Sequence, residues 1–235
     1  MIEFHRSSKK GNICDSYGIK TLDDLAHLSI REFPSFFQGC KSLETIHLPN
    51  VYELYAEAFK GCSNLREVEL KNLKVIGDEA FADCSALPRV DFPQVEMVRP
   101  SAFYGATKIQ EIILPNAWII PNNVSDFKYK IKEAKKRKTT FNPDTYYISN
   151  SPVLKKLVLS SPHEMQGTIS TDDGEGKMFF NPLKGDLSPK VTLILNESQK
   201  RKVESSNGRW ANAEWKSIQF VGNDKVPPLL DKYKP

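Results

Sequence analysis

The chain of 235 residues has no long apolar run; stretches such as Ala117–Ile120 are far too short to cross a bilayer. It has no Cys-x-x-Cys pair, and four cysteines in this length do not make a disulfide scaffold. Four scattered histidines leave little material for a zinc site. There is no P-loop, no G-x-G-x-x-G, no G-x-S-x-G and no H-E-x-x-H, so nothing points to nucleotide binding, serine hydrolysis or zinc proteolysis. The opening residues Met1–Arg6 carry neither an apolar core nor a cleavage site and do not read as a signal peptide. The expectation is a protein kept inside the cell, or a mature form cut from a longer precursor. With 40% hydrophobic and 26% charged residues the composition is ordinary for a globular chain, so wholesale disorder is not expected.

The net charge of +4 is unevenly spread. The segment 128–138 (KYKIKEAKKRK) holds seven of the 33 basic residues and one of the 29 acidic ones, leaving 26 and 28 elsewhere. The protein is mildly acidic apart from one basic segment.

What the sequence does have is a repeat. Phe37, Phe59, Phe81 and Phe103 stand 22 residues apart. Three places on come Cys40, Cys62, Cys84 and Ala106, then Leu43, Leu65, Leu87 and Ile109. Ile46, Val68, Val90 and Ile112 follow, then Leu48, Leu70, Phe92 and Leu114. Pro49, Pro93 and Pro115 close the unit, with Lys71 breaking that column. Leu54, Ile76 and Val98 precede the next Phe, and Ala58, Ala80 and Ala102 stand directly before it.

Each unit can be read physically. Leu-x-x-Ile-x-Leu contains a short alternating stretch, the pattern of a half-buried strand. The following Pro cannot donate to a sheet ladder and ends it. Ala-Phe-x-Gly-Cys is a tight return, too short for a long helix. One unit cannot bury its apolar face alone, whereas stacked units share a continuous core, with parallel strands about 4.8 Å apart. A 22-residue unit lies within the leucine-rich repeat range.

The residues between the leucines carry a resemblance. AFKGCSNLREVEL (58–70) and AFADCSALPRVDF (80–92), with the lead-in IGDEAF (76–81), resemble the BspA-like leucine-rich repeats of bacterial and some protozoan surface proteins. The strong match covers roughly 29–117. Leu154, Leu157 and Leu159 form one further strand pattern and Val191–Leu195 another; Trp210–Val221 is similar to the Trp-containing closing segment of Bacteroides-type relatives. The resemblance implies one α/β solenoid domain, a right-handed leucine-rich repeat superhelix with short parallel strands and capped ends, and the sequence adds a helical insertion to it. Its parts are a cap over 1–28, four repeats over 29–116, an insertion over 117–150 and irregular repeats with a cap over 151–235. For family members it implies surface adhesion, host-matrix binding or cell–cell aggregation, and hence a secreted or cell-surface location.

The rhythm fails after Pro115. Val124, Phe127, Ile131 and Ala134 fall at helical spacing, which predicts an amphipathic helix over about 124–137 laid on the solenoid. Residues 167–177 (GTISTDDGEGK) read as a loop. Residues 1–28 do not fit the register; Leu22, Leu25 and Leu28 read as a cap on the exposed end of the core.

Four groups of residues invite a functional reading. Cys40, Cys62 and Cys84 share a repeat position and stack about 5 Å apart, which suggests a metal or redox ladder. Inward packing of a small apolar thiol explains them better, because the fourth unit puts Ala106 there; Cys14 is off register and has no assignment. The basic residues Lys128, Lys130, Lys132, Lys135, Lys136, Arg137 and Lys138 read as a solvated helix face, with docking of an acidic partner as the functional alternative. The run lacks interleaved aromatics beyond Phe127 and Tyr129, so nucleic acid is not expected. The outward strand positions are Thr45 and His47, Glu67 and Glu69, Arg89 and Asp91, Glu111 and Ile113, then Lys156 and Val158. Side by side they make an open, mixed-charge face of the kind solenoids use for contacts, or a merely soluble one. Glu67, Glu69 and Asp91 imitate a glycosidase carboxylate pair, but a flat exposed sheet has no dry pocket to shift their pKa values. Fourth, Asp172, Asp173 and Glu175 miss the spacing and the closing Glu of an EF-hand. His47 and His163 lack partners at motif spacing, and Tyr146, Tyr147 and His163 would matter only as the lining of a deep pocket.

The sequence therefore predicts a non-enzymatic binding module, expected as a monomer without cofactor or metal, that contacts a protein or a glycan. The alternative is an intracellular scaffold that docks an acidic partner through the basic 128–138 helix.

Overall fold

In the computed structural model the described residues are 17–26, 32–117, 147–161, 168–170, 177–179, 182–183, 187–211 and 213–222. They form a parallel β-solenoid of about six rungs. The chain crosses each repeat rung as two short strands. The first ladder comprises β1 (Glu32–Phe33), β3 (Glu53–Leu54), β5 (Val75–Ile76) and β7 (Met97–Val98), all parallel. The second comprises β2 (Thr45–His47), β4 (Glu67–Glu69), β6 (Arg89–Asp91), β8 (Glu111–Ile113), β9 (Lys156–Leu159), β12 (Thr192–Asn196) and β13 (Ser217–Val221). Its register follows the repeat: Thr45 sits opposite Glu67, Arg89 opposite Glu111, and Ile112 opposite Leu157.

The second ladder is broken between β4 and β6. Arg66 N–H donates to Glu44 O, and Gln110 N–H to Pro88 O. Pro88 occupies the same repeat position with no N–H to give to the strand before it, so the sheet divides there.

The core runs the length of the stack. Leu43, Leu65, Leu87 and Ile109 are fully buried, as are the inward Ile46, Val90, Ile112 and Leu157; Val68 is only half-buried. Burying one such side chain contributes about 1.5–3 kcal/mol. The Phe column forms a stacked spine, with ring centroids 5.6 Å apart for Phe59–Phe81 and 5.7 Å for Phe81–Phe103. Phe33 joins it at 5.1 Å from Phe59.

Between the ladders the chain returns through turns rather than helices. Alternate N–H groups of this segment donate to the next rung: Glu57 to Asp78 O, Phe59 to Ala80 O, Gly61 to Ala82 O. The pattern repeats from Glu79, Phe81 and Asp83 to Pro100, Ala102 and Tyr104. To aim these donors, Glu57, Glu79 and Ser101 adopt left-handed φ of 60°, 54° and 59°. A second left-handed column holds Gly39, Gly61 and Gly105, with Asp83 in the remaining place. The α-helical element among the described residues, α1 (Lys200–Ser205), is short and lies between β12 and β13.

The anticipated helix over 124–137 lies outside the described residues. The solenoid resumes beyond the insertion, since Ser101 and Phe103 donate to Tyr147 O and Ile148 O. Residues 17–26 add a partial rung ahead of the first: Thr21 bridges Thr45, and Glu44 and Thr45 both donate to Lys20 O. Leu22 is buried and Leu25 packs on the core, while Leu28 is outside the described set.

One expected loop is partly a hairpin. β10 (Thr168–Ser170) pairs antiparallel with β11 (Lys177–Phe179), Ile169 opposite Met178. Residues 171–176, between the two strands, lie outside the described residues.

Candidate interaction surface

The outward residues of the second ladder share one face because alternate residues of a strand point to opposite sides. One column runs Thr45, Glu67, Arg89, Glu111, Lys156, Thr192 and Ser217; the other runs His47, Glu69, Asp91, Ile113, Val158, Ile194 and Gln219. The ten outward positions named from the sequence, Lys156 and Val158 included, therefore all lie on the outward side of this ladder. Thr192, Ile194, Ser217 and Gln219 extend it, and the alternation of VTLIL and SIQFV was the signal for them.

The face has two chemical halves. At one end charges answer one another: His47 Nδ1 lies 2.9 Å from Glu69 Oε2, and Lys71 Nζ 2.6 Å from Glu69 Oε1. Arg89 pairs with Asp91 at 2.7 Å and reaches Glu111 at 3.4 Å. At the edge, Glu44 takes both Lys20 at 3.1 Å and Arg66 at 2.6 Å. Glu67 has no ionic partner among the described residues. The Lys71 ammonium, by hydrogen bonding, holds the Glu69 carboxyl below its ordinary value; Lys20 does the same to Glu44.

At the other end the column becomes apolar, with Ile113, Val158 and Ile194 side by side. Val158 was expected to be exposed and is instead only 8% exposed. Apolar neighbours on both sides shield a residue in mid-sheet.

The arrangement offers little to catalysis. The side chains of Glu69 and Asp91 are 39% and 47% exposed on an open sheet. Glu69 is pushed down in pKa, the opposite of what a general acid needs. Among the described residues no three His, Cys, Asp or Glu side chains gather as a metal site. Asp172, Asp173, Glu175, Tyr146, His163 and the basic residues of 128–138 lie outside the described set; Tyr147 is half-buried on the return side.

The cysteine column packs inward as expected, with Cys40, Cys62 and Cys84 fully buried. It also does something the packing argument missed. Cys62 Sγ donates to Phe37 O at 3.1 Å, and Cys84 Sγ to Phe59 O at 3.2 Å, each one rung back. Cys62 and Cys84 are free thiols, whereas Cys40 is disulfide-bonded. Burial pushes the Cys84 thiol well above its ordinary pKa, so it is inert as a nucleophile.

No helix among the described residues is long and apolar enough to cross a membrane. No curated protein matches the sequence. Among solved structures, a leucine-rich repeat protein of T. pallidum (TpLRR) aligns over 78% of each chain, with 16% identity and a TM-score of 0.44. The sequence pattern of the BspA type leucine rich repeat region matches residues 31–154 in six copies, more than half of the chain. The protein belongs to the BspA-type leucine-rich repeat family.

Proposed function

We propose that this protein is a non-enzymatic binding module that contacts a protein, or a glycan, through the outward face of its second strand ladder. One observation carries the reading: neighbouring strands set Ile113, Val158 and Ile194 beside a self-paired ionic half. The apolar half supplies area to desolvate, and the charged half supplies orientation and selectivity. Family membership favours protein interaction as the general role and a secreted or surface location as the setting, with adhesion or host contact as the specific use.

The test is an array of extracellular-matrix proteins and glycans probed with the wild type and with Ile113→Lys/Ile194→Lys. Both positions are only half-buried, so the variant should keep its circular dichroism. The proposal expects one or more ligands whose binding falls at least tenfold in that variant. Equal binding by both proteins would move the site off this face. Binding that weakens steeply with salt, and is lost when Lys135, Lys136 and Arg137 are neutralised, would assign recognition to the basic run instead.

A further inference from the structure

We infer that the C-terminal half of the strand face takes an acidic polypeptide segment that also carries apolar side chains, seated where Ile113, Val158 and Ile194 run beside Lys155, Lys156 and Lys216. The inference rests on the strand face being the binding surface and names the kind of partner it fits.

The strands set these groups in two rows. Ile113, Val158 and Ile194 are neighbours in register on β8, β9 and β12. Lys156 opens β9 two residues ahead of Val158, about 7 Å along the strand. Lys155 and Lys216 each stand one residue ahead of a strand, β9 and β13, and Lys190 stands two ahead of β12. The lysines therefore line the end at which these three strands begin. Lys155, Lys190 and Lys216 are exposed, and Lys156 is half-buried. Lys155 Nζ donates to the neutral Gln110 Oε1 at 2.9 Å. None of these lysines pairs with a carboxylate among the described residues. Glu111, opposite Lys156, lies 3.4 Å from Arg89, and Glu214, two residues before Lys216, lies 2.6 Å from Arg209.

The rest of the face has the opposite character. There Lys71 is held by Glu69, Arg66 by Glu44 and Arg89 by Asp91. The carboxylate without an ionic partner is that of Glu67, which repels an acidic segment and directs it to the lysine end. The apolar row selects against a purely ionic ligand, since only apolar groups gain by covering it. It also favours a polypeptide over an anionic glycan. A sugar ring docks best on an aromatic face, and neither outward column holds a Phe, Tyr or Trp.

The experiment reads fluorescence anisotropy of labelled synthetic probes added to the full chain. The probes are a peptide with a Leu stripe flanked by Glu, a Leu/Lys peptide and a Ser/Glu peptide of the same length, and heparin. The Leu/Glu peptide should bind at least about tenfold tighter than the other probes, and its binding should weaken as salt rises. Lys155→Glu/Lys216→Glu should lose at least about tenfold in that affinity. Both positions are exposed, so its melting temperature should stay within about 2 °C of the wild type. Lys41→Glu/Arg201→Glu makes the same charge change at exposed positions elsewhere and should bind the Leu/Glu peptide within about twofold of the wild type. Equal losses in the two double variants would reduce the effect to net charge and overturn the inference. So would heparin or the Ser/Glu peptide binding as tightly as the Leu/Glu peptide, or no binding of the Leu/Glu peptide. In the last case, matrix ligands lost in Ile113→Lys/Ile194→Lys would still keep the strand face as the binding surface. Leu/Glu binding that survives both Lys155→Glu/Lys216→Glu and Ile113→Ser/Ile194→Ser would remove the strand-face reading together with this one.

Discussion

The Asp83 carboxylate stands where a Cβ on Gly105 would have to go. Both residues belong to the left-handed column, at φ 59° and 74°, and they stack one rung apart. Asp83 is the position where a side chain replaces glycine in that column, and it leans into the space its glycine neighbour leaves open. Asp83→Gly should raise stability by up to about 1 kcal/mol, or about 2–4 °C in Tm, by removing left-handed strain. Gly105→Ala should cost more than the strain alone, because the new methyl also meets Asp83. Rotation of the carboxylate relieves part of that clash, but Asp83 N, at 3.2 Å from the new atom, stays put. A double-mutant cycle reads the difference: Gly105→Ala should cost less in the Asp83→Gly background.

Gly77 has a different reason to be glycine. A Cβ there would lie 2.5 Å from Tyr55 C, 2.6 Å from Leu54 O and 2.7 Å from Ala56 N, all backbone atoms of the preceding rung. Nothing flexible can give way, so Gly77→Ala should force β3 and β5 apart. The expected cost is about 3 kcal/mol, at the upper end for overpacking. Gly208→Ala is the control: its φ is 75°, but nothing lies within 4 Å, so only backbone strain of about 1 kcal/mol remains. Melting curves of the two variants should separate by several degrees.

Lys74 and Glu96 form a charged pair inside the solenoid wall, 3.3 Å apart with side chains 8% and 0% exposed. Lys74 Nζ also donates to Gln94 Oε1 at 2.8 Å. Removing one partner of a buried pair leaves the other charge without compensation, typically at about 3–5 kcal/mol. Lys74→Ala should therefore lower Tm by roughly 10 °C. The double variant Lys74→Met/Glu96→Leu should recover most of that loss, since apolar replacement of both partners is often neutral. A double variant no better than the single one would show that Glu96 is needed for another contact.

The solenoid was legible because its core columns repeat every 22 residues with chemically narrow choices, from Phe37 to Phe103 and from Leu43 to Ile109. The first ladder was not, because strands of two residues, such as Val75–Ile76, are too short to show alternation. Nor were the left-handed positions of Glu57 and Glu79, since no side-chain type announces them and the inter-rung hydrogen bonds impose them. The strand face could be enumerated from alternation alone, but its pairing could not. That Arg89 bridges Asp91 and Glu111, while Val158 is sheltered by its apolar neighbours, depends on cross-strand register.

The ion pairs of the strand face make an acid-side prediction. Glu69 sits below its ordinary value of 4.5 because Lys71 hydrogen bonds it, with His47 charge assisting and burial opposing. A carboxyl depressed on folding contributes stability that is complete above its unfolded pKa and is lost as pH falls through its folded one. The loss should begin near pH 4.5 and continue downward. It should also be small, because Glu69 is 39% exposed and solvent screens the pair. Glu69→Gln should melt within about 1 °C of the wild type at pH 7. Below pH 4.5 the variant should lose Tm less steeply than the wild type, and high salt should shrink the difference. Parallel slopes at low ionic strength would mean that Lys71 and Glu69 do not hold their contact in solution, leaving a carboxylate available to a partner.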